Sequence, residues 1–528
     1  TYLAIALCKY VDFNSVSTRW NPGWLKFEES LSVRGMAMMW SWSDSSPFAP
    51  FTGTWLRSLE NSVNALSYLV SAVSGSSSKV RVLLDDAREL KNLAGEVFDV
   101  IVTDPPYRGD VCYAELTDFY YVWLKRALSD VKEIKIGEEK KLVLAPKFYE
   151  NIFFEDGREV DVQWKKYASK EISYNENRVK ALGLARSGLN YYKSLMAEAF
   201  ITMNAVLKDE GVLVTYFAHT LPDAWAELIE AGWKYGGFTV TNGFPLTTES
   251  TQSIVKRGKL SLDTSVVVVW RKARGDRASA SMDVVKEEML REGVDWARKV
   301  LGKYYGRDLF FSVFTRILSV ATRYSKLYDS RGEIDAKRLV EEYVAPLTAR
   351  ALVLATGREE ASGEVKLDRV ALFYFITKLL YAVSGVEAKV KMLSPNDIVL
   401  LSIATGADKQ EFIDYKILVK AKDKNEYRFM EPLSKKREEF EEFLKARDID
   451  PIKLTVMNRK PCSVDILHLI EYVTWFTSSP QHYIEKFKKE YPSLFDNALI
   501  LAKLLMKSLP RDLESKLCES IFLYMGGG

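Results

Sequence analysis

An apolar run that ends in Asp-Pro-Pro-Tyr constrains the fold of this chain most strongly. The run covers residues 98–103, and the motif consists of Asp104, Pro105, Pro106 and Tyr107. Proline has no backbone N–H and occurs in sheets only at edges and strand ends, so the strand must stop where the motif begins. We predict a buried central strand that ends in a functional loop; the alternative is a tight turn after an edge strand.

The residue types of the motif suit methyl transfer to an exocyclic amino group. Such an amine is a weak nucleophile, because its lone pair is delocalised into the ring. The Asp104 carboxylate and a backbone carbonyl of the Pro-Pro segment can accept its two hydrogens, and Tyr107 can stack on the base. A base in a duplex is out of reach, so it must first be flipped out of the helix.

A second short apolar run, Val80 to Leu84, ends in Asp85-Asp86-Ala87. We predict a strand here, then a helix through Leu93, then the strand of residues 97–103, which together form a βαβ unit of a parallel sheet. Ligands of such sheets bind at the carboxyl ends of the strands, where Asp86 and Asp104 would lie together. Asp86 could accept hydrogen bonds from a cofactor adenine or ribose, or it could cap the helix that follows.

The segment after the motif enters a helix with a dense aromatic face. Asp110 and Tyr113 are closest to the motif and are candidate substrate contacts, whereas Phe119 and Trp123 are expected in the core. Residues 131–190 are charged and have little periodicity, which predicts a long functional connection. Its lysines, including Lys147, could contact phosphates or could form a solvated face.

The sheet continues towards residue 273, and the remainder of the chain is mostly helical. We predict a helix at 189–207, a strand at 212–217 that ends near His219, a helix at 223–232, and strands at 238–241 and 266–270 that close the sheet as an antiparallel hairpin. His219 could meet a ligand or be a satisfied buried histidine. Residues 274–528 are expected to form a helical packing domain or a domain for target recognition or docking to a partner. Within them we predict that Asp335 caps a helix through residue 344, with further helices at 369–383, 434–446, 463–477 and 496–508 and a turn between two short strands at 420–426.

Bulk properties exclude several classes of protein. With 528 residues the chain can hold two to four domains, and no apolar run reaches the roughly 20 residues of a membrane helix. A net charge of +3 is too small to argue for nucleic acid by itself. The cysteines are far apart, with no C-x-x-C pair, so we expect no zinc site or disulfide framework, and a reducing cytoplasm fits. Because the chain opens inside a helical pattern, we expect it to lack its natural start.

These stretches resemble the amino-methyltransferases of DNA. They are most similar to the large archaeal and bacterial group of adenine-specific DNA methylases, which often carry a zinc ribbon and occur in defence gene clusters. The four-residue motif is specific for amino methylation, and flanking stretches indicate the subgroup. The similarity runs to about residue 273, and the flanking stretches are Asn14-Ser15, Arg19-Trp20, Met39-Trp40, Pro47-Phe48, Asp85-Asp86-Ala87, Tyr113-Ala114-Glu115-Leu116, residues 118–124, Ala145-Pro146-Lys147, residues 211–214 with Phe217 and His219, and Pro245-Leu246 with Glu249.

The resemblance implies an α/β protein with a Rossmann-like methyltransferase sheet over residues 1–273, followed by the helical region 274–528. It implies S-adenosylmethionine as the methyl donor and double-stranded DNA with a flipped adenine as the substrate. The motif would hold the target amine, while Asp86, Ala87 and Asp104 would lie near the cofactor. Asp110, Tyr113, Lys147 and His219 are the candidate substrate contacts. Other subunits of a modification or defence system are possible partners, and neither a membrane nor a metal is implied.

The chain departs from the family pattern at the cofactor. Such enzymes bind S-adenosylmethionine with a glycine-rich turn, which lets the backbone approach the ligand closely. Residues 46–53 and 404–408 imitate that turn only weakly, and the zinc ribbon is missing. We therefore expect the turn to be cut off or supplied by another polypeptide. Methylation of a cytosine amine, of RNA or of a protein amide stays open, as does a non-catalytic DNA-binding or scaffold subunit.

Overall fold

The computed structural model describes residues 1–22, 26–31, 42, 45–106, 111–184, 187–217, 219, 221–247, 264–357, 367–381, 391–421 and 426–525. The protein is mixed α/β and divides into two compact units. The first unit comprises Thr1–Asn92 and Pro106–Leu195, and the second comprises Leu93–Pro105 and Met196–Gly528. The chain passes between them inside the Asp-Pro-Pro-Tyr motif. The functional boundary predicted between residues 273 and 274 stays a prediction.

The amino-terminal half alternates short helices with small hairpins. In chain order its elements are α1 (Tyr2–Phe13), β1 (Arg19–Asn21), β2 (Lys26–Glu28), α2 (Trp55–Val73), a 3₁₀ turn (Lys91–Leu93), β3 (Phe98–Thr103), α3 (Tyr113–Leu128), β4 (Asp130–Ile136), β5 (Glu139–Ala145), α4 (Glu150–Phe153), β6 (Phe154–Glu155), β7 (Arg158–Glu159), α5 (Trp164–Ala168), α6 (Glu176–Ala181) and α7 (Gly188–Val206). β3 and the last part of α7 belong to the second unit.

The strand predicted at Val80 to Leu84 does not form. These residues are irregular and exposed, and Val82 is 90% accessible. Only a turn and the short 3₁₀ segment follow, so the predicted helix through Leu93 and the βαβ unit are also wrong. The apolar composition favours a strand, but a strand also needs a neighbour to pair with, which a local pattern cannot supply.

The charged region 131–190 is more ordered than its sequence pattern indicates. β4 and β5 form a regular antiparallel hairpin in which Asp130 pairs with Ala145 and Ile136 with Glu139. Further along, β6 pairs with β7, and α5 and α6 follow. The expectation of a long irregular connection is therefore wrong, because the hairpin strands are mostly exposed and have no apolar face for a periodicity search to find.

The carboxyl-terminal half begins with the rest of the main sheet and then becomes helical, as predicted. Its elements are β8 (Leu207–Phe217), α8 (Pro222–Ile229), a π-helical segment (Glu230–Tyr235), β9 (Phe238–Thr247), β10 (Thr264–Lys272), β11 (Ser279–Ser281), α9 (Met282–Val300), α10 (Gly306–Ala321), β12 (Lys326–Asp329), β13 (Gly332–Glu333), α11 (Ala336–Arg338), a second π-helical segment (Leu339–Val344), α12 (Ala345–Gly357), α13 (Arg369–Tyr381), β14 (Met392–Leu393), α14 (Pro395–Thr405), α15 (Lys409–Asp414), β15 (Leu418–Lys420), β16 (Tyr427–Phe429), α16 (Arg437–Ala446), β17 (Ile449–Asp450), β18 (Thr455–Val456), α17 (Ser463–Phe476), α18 (Pro480–Glu490), α19 (Pro492–Ser508) and α20 (Leu513–Tyr524).

Within the part of the chain that the structure describes, the main sheet has four strands in the order β3-β8-β10-β9. β3 and β8 are parallel, with Thr103 opposite Thr215, and β10 runs antiparallel to both β8 and β9. The predicted antiparallel hairpin at the close of the sheet is thus confirmed. A parallel pair needs a crossover, and here the crossover ends in α7, which leads directly into β8.

β3 is an edge strand among the described residues, and the prediction of a central strand is wrong. Its side chains Val100 and Val102 are 56% and 60% accessible. β8, in contrast, buries alternate side chains such as Leu213 and Phe217 completely. A mostly apolar run resembles a buried parallel strand, and the prediction of a central position for β3 was wrong for that reason.

Aromatic side chains fill the core around the sheet. Trp270 on β10 is fully buried, donates its indole N–H to Thr215 Oγ1 at 2.9 Å, and meets the Phe200 ring of α7 edge to face. Trp225 of α8 packs against Phe217 and stacks on Phe311 of α10. These contacts fix the carboxyl end of β8, where His219 lies.

The helical prediction for residues 274–528 is confirmed. Asp335 accepts a hydrogen bond from the Arg338 amide, as a helix cap should. The two short strands predicted on either side of the turn at residues 420–426 do form, as β15 and β16, and residues 422–425 between them lie outside the described residues. Among the described residues, no helix combines the length and hydropathy that crossing a membrane requires.

Candidate functional site

The Asp-Pro-Pro-Tyr motif begins immediately after β3, at the carboxyl end of the strand. Asp104 is exposed, and Pro105 and Pro106 are half-buried. The ladder with β8 holds the strand up to Thr103, whose register partner is Thr215. The two other predicted contacts of this loop, Tyr107 and Asp110, lie outside the described residues.

His219 follows the end of β8, the strand beside β3, and is half-buried. Its Nδ1 accepts the amide N–H of Leu221 at 3.1 Å, and its carbonyl accepts the indole N–H of Trp225 at 3.0 Å. An acceptor nitrogen carries no proton, so in the neutral ring the proton lies on Nε2. The fold therefore places an acceptor, Asp104, and a donor, His219, at the carboxyl ends of adjacent parallel strands.

Asp86, the predicted cofactor contact, is already paired. Its carboxylate accepts hydrogen bonds from Arg88 Nε at 3.0 Å and Nη2 at 2.7 Å, and Lys170 Nζ lies 3.8 Å away. The bonds from Arg88 lower the pKa of Asp86. No helix follows, so the capping interpretation is wrong, and Asp86 instead closes a turn by accepting the Arg88 amide. Ala87 is exposed in that turn.

Tyr113 is the first residue of α3 and is exposed. Its amide and that of Ala114 each donate to Glu171, at 2.8 Å to separate carboxylate oxygens. A carboxylate at this position satisfies two unpaired N–H groups and complements the positive end of the helix dipole. The segment 170–171 thus bonds both to Asp86 and to the start of α3.

Arg178 is buried on α6 and holds this arrangement together. It donates to both oxygens of Glu115, to Ser173 Oγ at 2.5 Å, and pairs with Glu171 at 3.0 Å. Burial raises the pKa of Glu115, but the hydrogen bonds and charge of Arg178 outweigh it, so the net direction is downward. Arg178 and Glu171 could not be identified from the sequence, because Arg178 lies 63 residues from Glu115 and Glu171 lies 58 residues from Tyr113.

Several lysines of the charged region are paired with acids. Lys147 is exposed and lies 3.6 Å from Asp130. Lys140 pairs with Glu133 at 2.8 Å, and Lys170 lies 3.8 Å from Asp86. This pairing favours the solvated-face interpretation, and a phosphate contact at Lys147 stays a prediction.

Neither segment that imitates a glycine-rich turn joins a strand to a helix. Gly53 precedes α2, and its carbonyl accepts the Asn14 side-chain amide at 2.6 Å. Gly406 is the left-handed C-cap of α14. With Asp86 occupied by Arg88, the described residues do not form the cradle that S-adenosylmethionine would need, and the chemistry below is limited to the base-binding side.

A separate polar cluster is fully buried among the carboxyl-terminal helices. Glu514, at the start of α20, accepts hydrogen bonds from Tyr374 at 2.7 Å, from Lys378 at 2.5 Å and from His468 Nε2 at 3.0 Å. Lys378 also pairs with Glu431 and Asp512. The sequence predicted no site at these residues.

His468 and its acidic neighbours are residue types that bind metals, but the His468 ring proton is on the nitrogen that would have to bind the metal. One ligand atom each of His468, Glu471 and Glu514 lie within 4.8 Å of one another. Arg447 donates to His468 Nδ1 at 2.7 Å, and an arginine can only donate. The ring proton is therefore on Nε2, the nitrogen that faces Glu514. A bound metal would need that nitrogen's lone pair and an Nδ1–H, which Arg447 prevents.

One further contact reaches the motif itself and was not anticipated. The Tyr192 hydroxyl donates to the carbonyl oxygen of Pro106 at 3.0 Å. The sequence shows Tyr192 only as part of a helical pattern, and its partner is 86 residues away.

Comparison with known proteins supplies no further assignment: no family model, no curated protein and no solved structure matches the chain.

Proposed function

We propose that the protein is a DNA methyltransferase that modifies the exocyclic amine of adenine, with S-adenosylmethionine as the donor. The observation that carries the proposal is the position of Asp104-Pro105-Pro106 at the carboxyl end of β3, with β8 parallel beside it and His219 beyond its end. Ligands of open α/β sheets bind at such strand ends. The described residues would supply the base-binding side of the site.

The residues at this sheet edge have complementary chemical roles. The exposed Asp104 carboxylate would accept one hydrogen of the amine, and a carbonyl of the Pro-Pro segment would accept the other. His219, which bears its proton on Nε2, would donate to an acceptor on the base ring. Holding the amine in this geometry gives most of the rate, since well-aligned reactants gain about 7–11 kcal/mol over free encounter.

A Rossmann-like sheet is the fold that we propose for this region. A parallel pair joined by a crossover ending in a helix supports it, as does the parallel-then-antiparallel order of the four strands. Within a restriction-modification or defence system, residues 274–528 would recognise the target or dock another subunit.

The test is methyl transfer by the full-length protein from labelled S-adenosylmethionine to unmethylated DNA, with the modified base identified by digestion and mass spectrometry. Asp104→Ala should reduce transfer at least about 100-fold. The variant loses the hydrogen bond that the carboxylate accepts from the target amine, and with it the orientation of the amine. Asp99→Ala is the matched control. Asp99 is an exposed acid on the same strand, paired with Lys208 at 2.7 Å, and its loss should leave transfer within about twofold.

The outcomes separate the candidate functions. If the labelled methyl group is found in cytosine, RNA or protein, that molecule and not adenine is the substrate. DNA binding without transfer by the full-length protein would favour the scaffold subunit, and equal activity of the two variants would show that Asp104 is not the amine acceptor.

A further inference from the structure

The Tyr192 hydroxyl makes a hydrogen bond to the backbone of the motif. Tyr192 is only 1% accessible, and its hydroxyl donates to the Pro106 carbonyl at 3.0 Å. Both residues belong to the same compact unit. A buried phenol hydroxyl normally has a hydrogen-bond partner, and here that partner is the second proline of the motif.

The Pro-Pro segment has no backbone N–H group with which to hold its own orientation. Neither proline has an N–H, so this part of the loop can only accept hydrogen bonds. On the amino-terminal side, the ladder of β3 with β8 ends at Thr103. On the carboxyl-terminal side of this segment, the Tyr192 hydroxyl donates to the Pro106 carbonyl.

The helix that carries Tyr192 is itself well anchored. The Gly188 amide at the start of α7 donates to Glu176 at 2.9 Å, and the Tyr191 hydroxyl donates to the Ser169 carbonyl. α7 then continues into β8, the register partner of β3. Tyr192 is therefore held by the anchored start of its helix and by its own hydrogen bond to Pro106.

We propose that Tyr192 is a positioning residue for methyl transfer. By holding the Pro106 carbonyl, it sets the direction in which the Pro105 carbonyl and the Asp104 carboxylate meet the amine. It acts through the loop and does not touch the reacting atoms. This inference rests on the function proposed above.

The matched pair Tyr192→Phe and Tyr191→Phe tests the role in the full-length protein. Both tyrosines are buried neighbours on α7, and each donates its hydroxyl to a backbone carbonyl, but only that of Tyr192 belongs to the motif. We expect Tyr192→Phe to lower kcat about tenfold with KM for DNA within about twofold, because small errors in alignment cost rate rather than binding. Tyr191→Phe should leave kcat within about twofold, while the two variants lose similar thermal stability.

Amide exchange provides a readout that needs no activity. The Thr103 and Asp104 amides should exchange faster in Tyr192→Phe than in Tyr191→Phe. If the wild-type protein transfers methyl groups and both variants keep the wild-type kcat, the positioning role is overturned while the proposed function stands. If the wild-type protein transfers none, the proposed function falls and the positioning role falls with it.

Discussion

A carboxylate oxygen of Glu471 and one of Glu514 lie within 4.8 Å of each other in the buried cluster, yet their surroundings shift the two pKa values in opposite directions. Burial alone would raise the pKa of Glu514. Lys378 and His468 lower this pKa by more than burial raises it, so Glu514 is ionised. Burial and the charge of Glu514 raise the pKa of Glu471 well above its ordinary value. Glu471 Oε1 meets only the Cys518 thiol, at 3.3 Å, and its Oε2 has no hydrogen-bond partner among the described residues.

Replacing Glu471 by glutamine should therefore change how stability depends on pH. The folded pKa lies above the unfolded value of about 4.3, so the native state keeps a proton that the unfolded chain releases. Wild-type stability then falls as pH rises above about 4.3, by at most about 1.4 kcal/mol per pH unit. Glu471→Gln is neutral at every pH and should lack this fall, which urea unfolding between pH 4.5 and 8 would measure.

The pH slope, not the offset, is diagnostic of Glu471. A glutamine NH₂ group at the unpartnered Oε2 position lowers the free energy of unfolding by the same amount at all pH values. Glu438→Gln, an exposed change on α16, provides the control and should follow the wild-type slope. If Glu471→Gln also keeps that slope, Glu471 is ionised in the folded protein.

Removing the charge of Glu514 should be costly, because Lys378 would stay buried with one anion fewer. Breaking a buried ion pair from one side costs about 3–5 kcal/mol. We expect that loss for Glu514→Gln and for Lys378→Met individually, measured as free energy of unfolding. The double variant should lose clearly less than the sum of the two, because each single loss already includes the Lys378–Glu514 interaction. Strict additivity would contradict the pairing.

The helical part of this fold could be predicted because helix signals are local. Periodic apolar residues placed α13, α17 and α19 correctly, and Asp335 marked a helix start. Each signal lies within one or two helical turns, so no distant partner is needed to interpret it.

The sheet and the buried cluster could not be predicted in the same way. Val80 to Leu84 and β3 have similar apolar composition, but only β3 has a strand beside it. Lys378 and Glu514 are 136 residues apart, and His468 and Glu514 are 46 apart. Likewise, the motif was visible in the sequence, whereas the tyrosine that holds it was not.

Arg178 should determine the stability of the first unit around α3. Arg178→Ala would leave Glu115 and Glu171 without their buried cation, at a cost of about 1–3 kcal/mol, since Glu115 is accessible to water. Because Glu171 caps α3, hydrogen exchange should accelerate at residues 113–116 before the rest of the helix. Lys180→Ala, an exposed change on the same helix α6, should leave exchange there unchanged. Equal protection in both variants would show that Arg178 does not support the cap.

Gly293 allows a prediction in which one substitution has opposite effects in two backgrounds. It is buried in the middle of α9, where alanine normally stabilises a helix by about 1 kcal/mol. An added Cβ, however, would lie 2.8 Å from Cγ1 and Cδ1 of the buried Ile317 on α10. Overpacking of this kind costs about 1–3 kcal/mol, so Gly293→Ala should destabilise the wild-type protein.

In the Ile317→Ala background the same substitution should stabilise. Ile317→Ala alone leaves a cavity and should cost about 2–5 kcal/mol. Gly293→Ala would then meet no Ile317 side chain beyond Cβ, fill part of the cavity and gain helix propensity, while Ala351 at 3.1 Å needs to move only slightly. Free energies of unfolding for the four proteins form a double-mutant cycle, and the sign of the Gly293→Ala effect should reverse between backgrounds. The same sign in both would mean that α9 and α10 do not meet at Gly293 and Ile317.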